Sequence, residues 1–181
     1  MSGMNTPPTI VLLGLRGSGK STLGARLASD LGRSFVDLDD RTAAALGCAS
    51  PGEALRSVGE ERFRIAETES LEAALDQRPG VLALGGGTPT APGAADALRE
   101  RGAAGSVRLL YLRATPATLS ARLSLVGGPD RPALLGDDPI AEIGPLFERR
   151  DPLYRELADA VLHLDGVGED AAYAMLRSWA M

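Results

Sequence analysis

The stretch Thr9-Ile10-Val11-Leu12-Leu13-Gly14-Leu15-Arg16-Gly17-Ser18-Gly19-Lys20-Ser21-Thr22 decides the fold. Its first five residues form an apolar, β-branched run that predicts a buried strand. The next eight match G-x-x-x-x-G-K-[ST], a loop whose backbone N–H groups cradle phosphates while the lysine reaches the terminal ones. Leu23 and Leu27 then share one helical face, so the loop opens onto a helix N-terminus, where anions bind. The stretch therefore predicts a nucleoside triphosphate site.

Lys20 is the only lysine of the chain, and every other cation among the 19 Lys+Arg residues is arginine. An ammonium is compact and carries three donors on a flexible stem, which suits a curved loop better than a planar guanidinium does. The alternative, a glycine turn beside an ordinary surface lysine, is disfavoured by the strand before the loop and the helix after it. We therefore expect Lys20 and the amides of Gly17, Ser18 and Gly19 to hold phosphates.

Length and composition bound the class of protein. The 181 residues, 44% hydrophobic and 24% charged, suit one globular domain. A net charge of −5 with scattered cations argues against a nucleic-acid surface. The lone Cys48 excludes an internal disulfide and a multi-cysteine zinc site. Without a bilayer-spanning run or a secretory start, we expect a cytoplasmic monomer, with residues 1–8 as a flexible tail and residues 9–181 as the domain.

Strand-like and helix-like segments alternate along the chain, which predicts an α/β fold with a mainly parallel sheet. Ser50, Pro51 and Glu53 form a helix start with an N-cap, a first-turn proline and a capping-box acid. Thr115-Pro116 and Asp138-Pro139 repeat the cap-then-proline signal. The expected strands are Thr9–Leu13, Ser34–Asp37, Val81–Leu84, Ser106–Leu112 and Ala160–Leu164.

Residues 125–137 differ from the rest because they combine glycines, prolines and charges between two helical patterns. They form either a plain connector or a mobile lid over a phosphate-transfer site, since glycines absorb hinge changes. Arg131 at the tip of the segment favours the lid.

Two stretches place polar groups or bare backbone where strands end. Asp37 and Asp39 alternate around Leu38 at the carboxyl end of a strand, where ligand sites of α/β proteins form. One can face a metal while the other reaches an acceptor hydroxyl; alternatively, one of them caps the next helix. Gly85–Gly87 follow another buried strand, which indicates that backbone must approach a ligand there.

Arginines supply the remaining candidates. A solvated helix face accounts for Arg62 and leaves Arg64 open, and a helix C-terminus favours cations such as Arg149 and Arg150 in any protein. If Arg64, Arg131 and Arg150 converge on the loop, triphosphate charge accounts for one or two of them. The surplus indicates an acceptor that is itself an anion, a carboxylate held by two parallel hydrogen bonds.

These residues, in this order, resemble the shikimate kinase family, small P-loop enzymes of the nucleoside-monophosphate-kinase-like group. The resemblance runs from about Thr9 to about Leu164. It implies a single-domain P-loop kinase with a five-stranded parallel sheet in the order 2-3-1-4-5, flanked by helices and carrying a mobile lid. It also implies that ATP, with Mg²⁺, phosphorylates the 3-hydroxyl of shikimate in aromatic amino-acid biosynthesis. The residues that carry it are Gly14 to Thr22, Asp37-Leu38-Asp39, Phe63-Arg64 with Glu67, Gly85–Gly87, Arg131-Pro132 with Leu134, and Arg150 with Pro152-Leu153-Tyr154.

The resemblance also implies residue roles. Ser21 would ligate Mg²⁺ with support from Asp37, and Asp39 would hold the shikimate hydroxyls and orient or deprotonate the nucleophile. Arg64 and Arg150 would grip the shikimate carboxylate, with the backbone of Gly85, Gly86 and Gly87 lining the pocket. Lys20, Asp39 and Arg131 would be catalytic. The ATP site would comprise Gly17, Ser18, Gly19, Lys20, Ser21, Thr22, Arg122 beside the adenine, and Arg131 brought down by the lid.

The chain departs from the family pattern at Thr88-Pro89, at Ala133 in the lid motif, and at Asp165–Gly168, where the late adenine-contacting loop has no counterpart. His163 lies in an apolar strand pattern and is interpreted as structural. Competing hypotheses are a kinase for another polyol acid such as gluconate, and a non-catalytic sensor of the same fold. A GTPase switch is disfavoured, because Asn5 is the only asparagine and the guanine-reading Asn-Lys-x-Asp motif cannot exist.

Overall fold

The computed structural model describes residues 7–125 and 140–181, whose strands form one parallel sheet. The spatial order is β2-β3-β1-β4-β5, and every neighbouring pair is parallel. This confirms the expected topology. The observed ends differ from the expected ones by a residue or so. The strands are β1 (Thr9–Leu13), β2 (Phe35–Asp37), β3 (Val81–Ala83), β4 (Val107–Arg113) and β5 (Ala160–His163).

Helices fill the connections between the strands. Ser50 caps α3 as expected, since its side chain accepts a hydrogen bond from Glu53 N at 3.2 Å. Pro116 opens α6, which confirms the second cap-then-proline signal. The helices are α1 (Lys20–Asp30), α2 (Leu38–Ala45), α3 (Pro51–Val58), α4 (Glu60–Gln77), α5 (Ala94–Ala103), α6 (Pro116–Leu125), α7 (Ile143–Leu157) and α8 (Glu169–Ala180), with a 3-10 turn at Thr88–Thr90.

The central position of β1 in the sheet explains its continuous run of buried residues. All five residues of β1 are buried, because β3 and β4 pair on its two edges and helices pack over the sheet. Tyr111 on β4 and Tyr154 on α7 are fully buried as an edge-to-face pair with ring centroids 5.4 Å apart. Within the described chain, no helix is both long and apolar enough to cross a membrane.

The strand register brings the candidate segments to one edge of the sheet. Ala83 on β3 lies opposite Leu12 on β1 and opposite Asp37 on β2. The phosphate-loop pattern follows β1, the glycine triplet comes shortly after β3, and the Asp37–Asp39 pair begins at the last residue of β2. They therefore meet at the carboxyl edge of the sheet.

Some expectations fall on parts of the chain that are not described. The proposed lid, 125–137, lies outside the described residues except for Leu125, and so do Arg131 and the Asp138-Pro139 cap. The expected tail, residues 1–8, is described only at residues 7 and 8.

The close approach of α1 to the sheet at Gly24 predicts a stability effect. A Cβ on Gly24 of α1 would lie 3.0 Å from Cδ1 of the core residue Leu12 and 2.9 Å from Cε2 of Phe35, which is partly buried against the core. We expect Gly24→Ala to lower the free energy of unfolding by about 1–3 kcal/mol through overpacking. Gly102 of α5 is the control, since its Cβ would meet Leu109 at an ordinary 3.5 Å. Gly102→Ala should raise stability by about 0.5–1 kcal/mol. Denaturant unfolding measures both, and equal effects would contradict this account.

Candidate active site

The phosphate-binding loop is held by glycine geometry and by its lysine. Gly17 and Gly19 have φ of +82° and +94°, a region that only glycine adopts without strain, and Gly19 is the N-cap of α1. Lys20 Nζ donates to Gly14 O at 2.8 Å and to Leu15 O at 3.1 Å, so the side chain folds back over the loop. Burial lowers the pKa of Lys20 to about 8, against the opposing effect of Asp39 and Asp37.

Asp37 joins the loop to the second βα unit. Its Oδ2 accepts a hydrogen bond from Ser21 Oγ at 2.5 Å, and its Oδ1 accepts one from Asp39 N at 3.1 Å, which makes it the N-cap of α2. The capping alternative for one of these acids is therefore confirmed for Asp37, which also faces Ser21. Burial, together with the charge of Glu67, raises the pKa of Asp39 to about 6, and the nearby Lys20 opposes this shift.

The glycine triplet makes room for charged side chains. A Cβ on Gly85 would collide with Asp39 Oδ1 and lie 2.7 Å from Glu67 Oε1. A Cβ on Gly87 would collide with the Arg64 guanidinium. The carbonyl oxygen of Gly86 accepts hydrogen bonds from Arg150 Nη1 at 2.6 Å and from the Tyr154 hydroxyl at 2.5 Å. These glycines therefore allow the functional groups of three elements to approach one another.

Arg64 is an arginine with carboxylate partners. Its Nη1 lies 2.7 Å from Glu67 Oε2, and its Nη2 lies 3.6 Å from Glu60 Oε1. Although burial acts in the other direction, Glu67 and Glu60 raise the pKa of Arg64. Arg62, two residues before, is exposed, as a solvated helix face predicts.

Arg150 differs from Arg64 in its burial and in its partners. Its residue is 8% exposed, and among the described residues no carboxylate forms an ion pair with it. Burial lowers the pKa of Arg150, and the charge of Arg64 adds to this effect. The neighbouring Arg149 is exposed and is an ordinary helix-surface cation. The expected helix C-terminus at these two arginines is wrong, because α7 continues to Leu157. Arg149 is a surface cation of this helix, whereas Arg150 is buried inside it.

Arg122 of α6 contacts the late loop, the segment around Asp165–Gly168. Its Nη2 donates to Leu164 O at 3.1 Å and to Val167 O at 3.3 Å. Asp165 ties the same loop to the start of α6, because it accepts hydrogen bonds from Thr115 N at 2.8 Å and Thr118 Oγ1 at 2.6 Å. Although Asp165–Gly168 departs from the family pattern, it packs beside Arg122.

These groups share one cavity of about 890 Å³. Arg131 lies outside the described residues. Gly85 does not line the cavity and lies against Asp39 and Glu67. The other predicted site residues line the cavity, namely Gly17, Ser18, Gly19, Lys20, Ser21, Thr22, Asp37, Asp39, Arg64, Gly86, Gly87, Arg122 and Arg150.

Comparison with known proteins identifies the family. The family model described as Shikimate kinase matches residues 16–178. The chain belongs to the shikimate kinase family. It is therefore a kinase that transfers a phosphoryl group to an alcohol, with ATP as cosubstrate. This confirms the resemblance inferred from the sequence.

Individual shikimate kinases align over most of the chain. The enzyme from Halorhodospira halophila is 38% identical over 166 residues, 92% of this chain and 89% of that protein. The enzyme from Mycobacterium ulcerans is 40% identical over 151 residues, 83% of this chain and 77% of that protein. The solved structure of shikimate kinase from Acinetobacter baumannii in complex with shikimate has a TM-score of 0.82 at 31% identity, covering 96% of this chain and 93% of that one.

Two residues of this shikimate kinase site were not assigned roles from the sequence. Glu67 is 1% exposed, and its two oxygens accept from Arg64 and from the Thr88 hydroxyl. Tyr154 donates to Gly86 O beside Arg150. An available signal for Glu67 was its place on the apolar face of α4, four residues after Phe63, because a buried acid needs a partner.

Ser18 gives a second stability prediction. Its hydroxyl is buried and has no hydrogen-bond partner within residues 7–125 and 140–181. A buried hydroxyl without a partner keeps its desolvation cost, so Ser18→Ala should raise the free energy of unfolding by about 1 kcal/mol. Because the backbone amide remains, the KM for ATP should stay unchanged. Denaturant unfolding and steady-state kinetics check this, and a loss of stability would show that the hydroxyl has an acceptor.

Proposed function

We propose that the chain transfers the γ-phosphoryl group of ATP to the 3-hydroxyl of shikimate, giving shikimate 3-phosphate and ADP for aromatic amino-acid biosynthesis. Residues 9–181 would form the catalytic domain. The observation that carries this proposal is Arg150, a buried cation with no carboxylate partner among the described residues, in the same cavity as Lys20.

A buried charge without a partner is costly, and proteins retain one where a ligand supplies the opposite charge. Arg150 and Arg64 line one cavity, and the charge of each acts on the other. A substrate carboxylate between them would compensate Arg150 and accept hydrogen bonds from both planar guanidinium groups. This supports an acceptor that is a carboxylate, and shikimate is one.

The reaction needs positioning and compensation of charge more than covalent work by the protein. The backbone amides of Gly17, Ser18 and Gly19 and the Lys20 ammonium would hold the transferred phosphoryl group. The substrate oxygen would attack the γ-phosphorus as the bond to the β-phosphate oxygen breaks, and the hydroxyl proton would pass to Asp39. Arg131, which lies outside the described residues, is proposed to add positive charge at the phosphates.

We also propose Mg²⁺ as the metal. The Ser21 hydroxyl and the Asp37 carboxylate are hard oxygen donors 2.5 Å apart beside the phosphate-binding loop, and Mg²⁺ prefers such oxygens together with nucleotide phosphates and water. Among the described residues no cluster of three metal-ligating side chains exists, and a site completed by phosphates does not need one. When bound, Mg²⁺ supplies positive charge to the phosphate oxygens.

The base of ATP is proposed to lie beside Arg122. Arg122, Leu164, Val167 and Gly168 line the cavity, and Arg122 contacts the carbonyl oxygens of Leu164 and Val167. Thr22, in the first turn of α1, also lines it and would lie nearer the phosphates. The Arg122 guanidinium is held by two carbonyl oxygens and presents a flat cation for stacking. We propose a cytoplasmic monomer that needs no partner beyond its small-molecule substrates.

A coupled ADP-release assay with shikimate, quinate and gluconate, at saturating ATP and Mg²⁺, tests the proposal. We expect turnover that depends on shikimate. Turnover with gluconate and none with shikimate would support the alternative kinase. Binding of shikimate without ADP release on any of the three acids would support a non-catalytic sensor.

The two arginines predict different combinations of effects. Arg150→Ala should weaken shikimate binding by about 2–3 kcal/mol, roughly 30- to 160-fold, through loss of a charge-assisted pair, without loss of stability. Arg64→Ala should weaken binding similarly and also lower the free energy of unfolding by about 3 kcal/mol, because Glu67 stays buried without its cation. Shikimate KM values and denaturant unfolding measure these effects. A wild-type shikimate KM in both variants would refute the carboxylate clamp.

The shifted pKa values predict a bell-shaped pH profile. Asp39 accepts a proton only when ionised, so kcat/KM should fall as pH drops through about 6. Lys20 must be charged, so kcat/KM should also fall as pH rises through about 8. Because the charge of Glu67 helps to raise the pKa of Asp39, Glu67→Gln should move the acid limb to lower pH. Rates from about pH 5 to about pH 9 test this, and an unmoved acid limb in Glu67→Gln would contradict it.

A further inference from the structure

Thr88 lies directly after the glycine triplet, at the first position where the chain departs from the family pattern. It is 0% exposed and does not line the cavity, so it cannot touch a substrate there. Its backbone is fixed by the 3-10 turn, since Thr88 N donates to Gly85 O at 3.2 Å and Thr88 O accepts from Ala91 N at 2.9 Å. Its hydroxyl donates to Glu67 Oε1 at 2.5 Å.

This hydrogen bond occupies one of the two oxygens of Glu67. The other oxygen, Oε2, is 2.7 Å from Arg64 Nη1, which makes the contact between Glu67 and Arg64 a single one. A carboxylate and a guanidinium that meet without such a constraint commonly form two parallel hydrogen bonds. A second bond to Glu67 would occupy a further donor of the Arg64 guanidinium, which lines the cavity and already has Glu60 Oε1 3.6 Å from Nη2.

We propose that Thr88 is a positioning residue that limits Glu67 to one contact with Arg64 and so keeps Glu67 from taking guanidinium donors that the substrate carboxylate would use. The inference rests on the proposed function, because it concerns how Arg64 meets shikimate. Glu67 compensates the charge of Arg64 at Nη1, the half-exposed Glu60 lies 3.6 Å from Nη2, and Thr88 prevents Glu67 from taking a second donor. The residue acts through Glu67 and Arg64 and not on the reacting atoms.

Thr88→Val keeps the shape of the side chain and removes its hydroxyl, so it tests the proposal. We expect the shikimate KM and the calorimetric shikimate Kd to rise about tenfold, with the ATP KM unchanged and kcat altered by less than about twofold. Thr88→Ser keeps the donor and should bind shikimate within about twofold of the unmodified chain. Should the valine variant not fold, Thr88→Ala replaces it in the same comparison with Thr88→Ser.

Thr9→Val is the matched control. Thr9 is likewise buried, and its hydroxyl donates to a single acceptor, Pro79 O, at 2.8 Å. Thr9 lies at the start of β1, away from the cavity. It should lose stability without any change in the shikimate KM. A rise in the shikimate KM in this control as large as that in Thr88→Val would assign the effect to general loss of stability and overturn the proposal.

A double-mutant cycle tests whether Thr88 acts through Arg64. In the Arg64→Ala background, Thr88→Val should change the shikimate Kd by less than about twofold, because the guanidinium that it positions is gone. An undiminished tenfold effect in that background would overturn the proposal, as would a wild-type shikimate Kd in Thr88→Val alone. Failure of the proposed function would look different, since the unmodified chain would then show no shikimate-dependent ADP release.

Discussion

The parallel register of β1, β2 and β3 is the constraint on which the site depends. Ala83 is opposite both Leu12 and Asp37, so three strands end at the same level. Whatever follows each strand is therefore delivered to one place: a phosphate-binding loop, an aspartate pair and three glycines. All residues of β1 and β3 are buried and those of β2 are partly buried, which makes a slip of this register costly and the placement of the site rigid.

Several charged side chains of the site have an opposite charge close by. Glu67 compensates Arg64, and Asp37 and Asp39 act on Lys20, whose pKa is lowered by burial and raised again by these two acids. Arg150 stands apart, since among the described residues no carboxylate forms an ion pair with it. The unliganded arrangement is therefore electrostatically incomplete at one cation, and this is the point where an anionic acceptor gains most by binding.

Sequence reasoning reached the fold and most of the candidate site because both rest on local signals. A strand, a glycine loop and a helix start identify the phosphate side, and the alternation of elements identifies the parallel sheet; the strand order came from the family resemblance and was confirmed. The spacing of arginines along the sequence does not show which of them lie in the site. Arg64 and Arg150 each lie on a helix where a cation has an ordinary explanation, and only their burial, which depends on packing between distant elements, separates them from Arg62 and Arg149.

Glu67 and Thr88 show why the contacts that support the site could not be predicted from the sequence. They are 21 positions apart, and the pattern of Phe63-Arg64 with Glu67 does not indicate a partner after the glycine triplet. Their hydrogen bond exists because α4 packs against the 3-10 turn after β3. Gly85 makes that contact possible, since a Cβ there would lie 2.9 Å from Thr88 Oγ1 and 2.7 Å from Glu67 Oε1. The bare backbone of the triplet thus serves buried partners as well as the cavity. A glycine read as access for a ligand can equally be access for the groups that hold the ligand's partner in place.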